Sequence, residues 1–218
     1  MTTFPGSPRL LKGGIVVLDP ETSTVQRVIT LQYNPDTLSR SLQIKAQGES
    51  GDRSEALRLT GPPVETIKLD AEIDATDQLE FPEQNQTVAE LGIHAHLAAL
   101  ETLVYPTTNQ IQANRRLADS GSLEITPMES PLTLFVWSKN RVMPVRLTDF
   151  SVTEEAFDPA LNPIRAKVSL GFRVLSVNDL KFEHKGSSIY LAYQQQKERL
   201  AALYHGGPLS GLGVTKIP

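Results

Sequence analysis

The stretch Val64-Glu-Thr-Ile-Lys-Leu-Asp-Ala-Glu-Ile-Asp74 decides the fold class of this chain. From Ile67 to Asp74, apolar residues alternate with charged residues at every position. Successive side chains of a β-strand point to opposite faces of the sheet, so this alternation predicts a strand with one buried and one solvated face. Such strands are typical of antiparallel sheets, which often keep one face in water.

The same alternation occurs on both sides of this stretch. It is longest in residues 164–174, where apolar residues occupy every second position. Shorter segments of this kind predict further strands at residues 15–18, 25–33, 38–46, 132–137 and 142–152. Ser138-Lys139-Asn140 predicts a hairpin turn between the last two of these. The chain is therefore predicted to be rich in antiparallel strands.

Two segments have the spacing of amphipathic helices instead. Residues 87–104 form one predicted helix, which Pro106 ends, and residues 188–204 form another, which Gly206-Gly207-Pro208 ends. The polar stretch between residues 107 and 130 is predicted to be a long loop. This order of elements predicts a mainly β (β+α) fold, an antiparallel barrel or sandwich with one packed helix and a C-terminal helix.

Composition narrows the class of protein. The 218 residues carry a formal net charge of −4 and include no cysteine, which rules out disulfides and cysteine-based zinc sites. The acidic balance and scattered basic residues argue against nucleic acid as the main partner. The first residues lack a basic region followed by an apolar run, and no apolar run approaches the ~20 residues of a membrane helix. We therefore expect no secretion signal and no direct membrane insertion.

The residues that could carry chemistry do not form a recognisable site. His94 and His96 are two positions apart on a predicted helix, about 200° apart around its axis, whereas zinc-binding helices place histidines four positions apart. Asp70, Glu72 and Asp74 share one strand face, which a solvated surface explains. There is no phosphate-binding glycine loop and no nucleophile elbow. We predict no catalytic residue, no cofactor and no metal site.

Three stretches, in order and spacing, resemble the tube-protein family of contractile injection systems, whose relatives include tube-initiating baseplate proteins of contractile phage tails. The first, residues 29–41, contains Tyr33-Asn34-Pro35, and the second, residues 59–74, contains the Gly61-Pro62 turn. The third, residues 131–175, contains Phe157-Asp158-Pro159, Asn162-Pro163 and Arg165. The helical residues 97–106 are also similar to the family's helix, so the resemblance covers residues 12–182.

The resemblance implies a compact β-barrel-like body and a homo-hexameric ring whose inner sheet lines a channel. The motif residues named above would then be structural positions. It further implies a ring subunit that initiates or adapts the inner tube at the baseplate, beside tube, spike and baseplate proteins. Such a protein would assemble in the cytoplasm into a phage tail-like particle and would not be an enzyme.

The resemblance also divides the chain. It gives a flexible N-terminal tail (1–12), a tube-protein-like β domain (13–182), and a C-terminal helix with a flexible tail (183–218). Some relatives carry a LysM module after the tube-like body, and its signature is missing here, which leaves the mode of attachment to the baseplate open. Two other classes remain as alternatives: a β-barrel that binds a small molecule, and a hydrolase that uses His94 or His96. The apolar faces are just sufficient to fill a barrel, which argues against a large ligand cavity.

Overall fold

The computed structural model describes residues 10–19, 22–46, 58–120 and 130–217. This part of the chain contains seven strands: β1 (Gly14–Leu18), β2 (Val25–Thr30), β3 (Leu38–Gln43), β4 (Val64–Asp74), β5 (Leu132–Ser138), β6 (Arg141–Phe157) and β7 (Pro163–Val174). The helices are α1 (Thr76–Leu79), α2 (Gln86–Leu91), α3 (His94–Glu101), α4 (Thr108–Asp119) and α5 (Lys185–Ala202), with 3-10 turns at Pro82–Gln84 and Leu209–Leu212. No helix in the described ranges is both long enough and apolar enough to cross a membrane.

The strands form one antiparallel sheet in the order β2-β1-β5-β6-β7-β4-β3. The predicted mixed fold of antiparallel strands and helices is confirmed. The predicted closure into a barrel is not confirmed, because β2 and β3 do not pair with each other and are the two end strands of the sheet within the described residues. Closure depends on strand tilt and stagger, which the alternation of residues does not encode.

The long strand β6 joins two halves of the sheet. Residues 141–145 pair with β5, and residues 145–157 pair with β7. A shift in register between Leu147 and Asp149 marks a bulge on β6. Bulges bend a strand and increase its twist, so β6 changes direction where it leaves β5.

One face of the sheet carries the main hydrophobic core. The apolar residues of β4 and β7 lie opposite one another in register, as the alternation predicts: Ile67 with Phe172, Leu69 with Leu170, Ala71 with Val168 and Ile73 with Ala166. Phe135 of β5 stacks on Phe172 with ring centroids 5.1 Å apart. Val88, Leu97 and Leu100 of α2 and α3 cover this face, and Tyr190 and Tyr193 of α5 complete it.

Three predicted elements differ from the structure. The single helix at 87–104 is wrong, because α2 ends at Gly92, whose φ of +56° is a left-handed value that breaks a helix. The loop predicted at 107–130 contains α4, which begins with a capping box between Thr107 and Gln110. The strand predicted at 38–46 ends at Gln43, and its side chains Leu42 and Ile44 are exposed rather than buried.

Candidate functional site

The surface that the sequence marked as solvated is a broad polar face across β3, β4, β7 and the second half of β6. Its centre is an open groove of about 680 Å³, lined by serine, threonine, aspartate and lysine side chains that include Ser39, Lys68, Asp70, Asp149, Ser151 and Ser169. The opposite face of the same strands is the apolar core. We call this surface the polar face.

Charges on the polar face are paired across neighbouring strands. Arg165 on β7 donates to Asp74 on β4 at 2.7 Å, and Lys167 lies 3.5 Å from Glu155 on β6. The Ser169 hydroxyl donates to Asp70 at 2.6 Å. These pairs are exposed, so each adds little stability, but together they leave opposite charges interspersed along the face.

The pair between Asp74 and Arg165 fixes the end of β4. Desolvation would raise the pKa of Asp74, but hydrogen bonds from Thr76 and Arg165 outweigh it and lower that pKa below its ordinary value. The Asp74 carboxylate accepts from both the backbone N–H and the hydroxyl of Thr76. Arg165, one of the motif residues, therefore helps to hold the turn into α1.

Both lateral borders of the polar face are open strand edges. β3 pairs with β4 alone, and β6 has no neighbour other than β7 beyond Val145, where its pairing with β5 ends. Within the described residues, no strand pairs with the outer edge of either segment. Open edges present unpaired backbone donors and acceptors, which natural proteins cover or use for assembly.

The Tyr33-Asn34-Pro35 motif ties the start of the described chain to the sheet. The Asn34 side chain accepts a hydrogen bond from Gly13 N–H at 2.9 Å and donates to the Leu11 carbonyl at 2.8 Å. Tyr33 is exposed, and Pro35 is half-buried. Asn34 is therefore the residue of this motif that makes the structural contacts.

A residue beside this motif links the two ends of the sheet. The Gln32 amide donates to the Asp74 carbonyl at 2.6 Å and accepts from Asp74 N–H at 2.9 Å. The Gln32 side chain thus makes the two backbone hydrogen bonds that a neighbouring strand would make at Asp74, where β3 no longer pairs with β4. The sequence analysis missed Gln32, because a polar residue at the end of an alternating run has no distinctive pattern.

The Gly61-Pro62 turn lies at the opposite end of β4 from Asp74. Gly61 has φ +152°, and a Cβ there would lie 2.7 Å from Nδ2 of Asn178. Glycine adopts this backbone conformation readily, whereas other residues rarely do. The structure therefore separates this motif from the other two, which both approach the Asp74 end of β4.

The third motif is a tightly bonded loop between β6 and β7. One Asp158 carboxylate oxygen accepts from Ala160 N–H and from Asn162 N–H, each at 2.8 Å. The other accepts from the Asn162 side chain at 2.8 Å. The hydrogen bonds from Asn162, side chain first, lower the pKa of Asp158. Asp158 and Asn162 thus fix the loop, while Phe157 stays exposed and Pro159 lies within the turn.

This loop also positions the helices. Asn162 Nδ2 donates to the carbonyl of Glu90 at 3.0 Å, and the buried Pro163 accepts from Ile93 N–H at 2.9 Å. Gly92 lies between these two contacts, and a Cβ there would approach the Pro163 oxygen to 2.3 Å. The loop therefore sets both where α2 ends and where α3 begins.

His94 and His96 lie on α3 as predicted, and both side chains are exposed. No group of three or more histidine, cysteine, aspartate or glutamate residues in the described ranges is placed to hold a metal ion. A barrel interior for a ligand would need closure, and the described sheet is open. An apolar groove of about 290 Å³ does lie between β2, β4 and α3, open to the surface.

A buried carboxylate holds α5 against the sheet. Glu65 on β4 is 3% exposed, accepts from the Tyr193 hydroxyl at 3.0 Å and pairs with Lys197 Nζ at 3.0 Å. Arg40 approaches it at 3.7 Å. The Lys197 ammonium also lies 4.0 Å from the centre of the Tyr193 ring. The alternation in β4 gave no signal for this cluster, because it depends on residues 128 and 132 positions apart.

Tyr193→Phe should reveal this cluster through its pH dependence. Burial, and then the charge of Glu65, raise the pKa of Tyr193 to about 12. An unfolded tyrosine ionises near pH 10, so the raised folded-state pKa contributes stability that is present below pH 10 and lost as pH rises through 12, about 2 to 3 kcal/mol in all. Urea unfolding at stepped pH should show a steeper fall for the wild type than for the variant.

The same variant should be less stable at neutral pH by about 1 to 2 kcal/mol, because Glu65 loses a hydrogen-bond donor. The matched control is Tyr204→Phe, since Tyr204 is exposed and lies outside the cluster. Parallel pH profiles of the wild type and Tyr193→Phe would contradict the burial of the Tyr193 hydroxyl beside the charge of Glu65.

The fold and its site define a mixed β+α protein whose candidate functional feature is a polar sheet face with open edges. The sequence profile of the contractile injection system tube protein family matches residues 12–182. The chain therefore belongs to that family, the tube proteins of contractile injection systems. The matched region includes all three motifs and the whole of β1–β7.

Two solved structures also show similarity to the chain. The tail of an empty GTA particle with C6 symmetry has 10% identity, with 75% of this chain and 90% of that chain covered, at a TM-score of 0.29. The virion of the native gene transfer agent particle has 10% identity, with 74% and 90% covered, at a TM-score of 0.26. Such low TM-scores identify neither the fold nor the function. No curated protein is significantly similar to the chain.

Proposed function

We propose that this tube protein is a ring subunit at the baseplate end of the inner tube, where it starts or adapts the tube. It acts by assembly and without turnover. The observation that carries this proposal is the polar face, a hydrated sheet surface backed by a full apolar core and bordered by two open strand edges. A surface of this kind can line an aqueous channel only if its edges are covered by neighbouring subunits.

The two open edges support lateral pairing between copies. The outer edge of β3 in one copy would pair with the second half of β6 in the next, so that four strands from each copy join one continuous wall. The two edges are different surfaces, and a contact between different surfaces closes into a ring when the rotation allows it. Six copies are what the resemblance to tube proteins implies.

The remaining parts of the chain fit this arrangement. Residues 13–182 would form the wall-building body, with the three motifs fixing its turns, and residues 183–218 would extend beyond it. α5 in this extension packs on the body through Tyr190 and Tyr193. We propose tube, spike and baseplate proteins as neighbours, and cytoplasmic assembly into the particle.

Electron microscopy of the purified chain, alone and with its neighbouring proteins, should show six-fold rings. Four strands about 4.8 Å apart contribute about 19 Å of wall per copy, and the usual strand tilt widens this further. Six copies would therefore enclose a channel about 40 to 50 Å wide between backbones. A chain that stays monomeric at every concentration, and forms no ring beside its neighbours, would overturn the proposal.

The position of the ring needs a separate observation. Labelled protein in intact particles should appear once per particle, at the baseplate end, if the chain starts or adapts the tube. Label along the whole tube would still agree with a ring subunit, but it would exclude the initiating role.

A further inference from the structure

Among the described residues, no surface buries any part of α4. None of its twelve residues is buried, and Ile111 and Leu117 are 52% and 47% exposed. The capping box at Thr107 nevertheless encodes the start of this helix locally. A helix of this length is only marginally stable in water by itself, so packing against another surface would be its main source of stability.

The exposed side of α4 is both apolar and basic. Ile111, Arg115 and Ala118 lie three or four residues apart and share one face, and Arg116 follows Arg115 directly. Within the described residues, neither arginine forms an ion pair. The surface that matches α4 must therefore be apolar and acidic.

One surface of the same chain has these properties. We call it the Phe81 surface: Asp77, Glu80, Phe81, Glu83, Glu90 and Leu91, from α1, the following 3-10 turn and α2. Phe81 and Leu91 are 53% and 48% exposed. The four carboxylates are exposed, and none forms an ion pair in the described part of the chain. Between Lys68 and Arg115 the sequence has eight acidic residues and no lysine or arginine.

The Phe81 surface is also a fixed feature. The Asn85 side chain donates to the carbonyls of Gln78 and Phe81, which holds α1 to the 3-10 turn. Asn162 ties the end of α2 to the loop before β7. Two exposed apolar side chains and four carboxylates on a fixed segment complement a helix that carries apolar and basic side chains.

The two surfaces lie toward different ends of α3. The Phe81 surface adjoins the start of α3, where Pro163 accepts from Ile93 N–H. Past the end of α3, Leu103 and Val104 border a groove shared with Leu132, Val145 and Leu175, and α4 begins a few residues later. Two different and complementary surfaces on one chain permit a head-to-tail contact between copies.

We propose that α4 of one copy docks on the Phe81 surface of a second copy of this chain. Ile111 would pack against Phe81 and Leu91, and Arg115, on the same face of α4, would meet the carboxylates around them. This contact rests on the proposed ring, and it would lie on the helix-bearing side of the sheet, away from the polar face.

A charge-swap experiment on the full chain tests this contact. Arg115→Glu with Arg116→Glu, and separately Glu80→Lys with Glu83→Lys, should each raise the dissociation constant of the oligomer about tenfold or more. An equimolar mixture of the two variants should assemble into rings in which they alternate. The acidic α4 of the first variant then meets the basic Phe81 surface of the second, and the wild-type α4 of the second meets the wild-type Phe81 surface of the first. Native mass spectrometry and light scattering at matched concentrations measure assembly.

The control is Lys139→Glu with Lys181→Glu, which changes the net charge by the same amount as the arginine variant, at exposed sites elsewhere. It should assemble as the wild type does. If wild-type rings form and both reversed variants assemble equally well, the α4 contact is wrong while the ring stands. If a reversed variant fails to assemble and the mixture of the two variants does not assemble either, the proposed charge pairing between these two surfaces is wrong. A wild-type chain that never self-associates overturns the contact together with the ring.

Discussion

Val168→Asp should leave the chain unfolded or unable to assemble. Val168 is fully buried on β7, opposite Ala71 on one neighbouring strand and Val152 on the other. An unpaired carboxylate in such a place costs several kcal/mol, comparable with the about 5 to 15 kcal/mol that stabilise a typical domain. Soluble yield and thermal unfolding followed by circular dichroism measure the effect.

The matched control is Thr153→Asp on β6. Thr153 is exposed on the polar face and lies opposite Lys167 in the register, so the new carboxylate meets water and a cation. We expect a change in stability within about 0.5 kcal/mol. Equal stability of Val168→Asp and the wild type would show that the register of β7 is wrong, because a shift of one residue exchanges the two faces.

This pair of variants also shows which part of the fold is predictable from sequence. The alternation in β4 and β7 predicts both the strands and their buried faces, because a half-buried strand must place apolar side chains at every second position. The structure confirms those faces, and it confirms the hairpin turn after Ser138. The polar face was predicted from the same pattern, as a solvated surface around Asp70, Glu72 and Asp74.

Other features depend on contacts between distant residues, which local patterns do not encode. Glu65 lies two positions before Ile67, on the apolar face of β4, but the strand does not reveal Tyr193 and Lys197, the distant residues that bond to it there. Gln32 bonds to the backbone of Asp74, 42 residues away. The open sheet and the two edges that border the polar face follow from strand order and twist, and no single segment carries them.

The break between α2 and α3 was missed for a related reason. The apolar spacing of residues 87–104 continues through Gly92, since both helices cover the same core face. An isolated glycine inside a helical pattern is common enough that the pattern alone favours one helix. What ends α2 is the close approach of Pro163, which belongs to a strand 71 positions later in the sequence.

Gly92→Ala should therefore destabilise the protein strongly. Gly92 has φ +56° and ψ −139°, a conformation essentially restricted to glycine, and other residues forced into it cost on the order of 1 to 3 kcal/mol. A Cβ would also lie 2.3 Å from the Pro163 oxygen and 3.1 Å from the Asn162 Cβ. Relief would require moving the backbone and breaking the hydrogen bond from Ile93 to Pro163.

Gly207→Ala is the control for this substitution. Gly207 is exposed, and a Cβ there would meet no atom within 4 Å. We expect Gly92→Ala to lose about 3 kcal/mol or more, which lowers Tm by about 6 to 12 °C in a chain of this size, and Gly207→Ala to lose less than about 1 kcal/mol. Urea and thermal unfolding of the two variants measure the difference. Equal losses would mean that the Pro163 loop yields without cost, and that it does not set the position of α3.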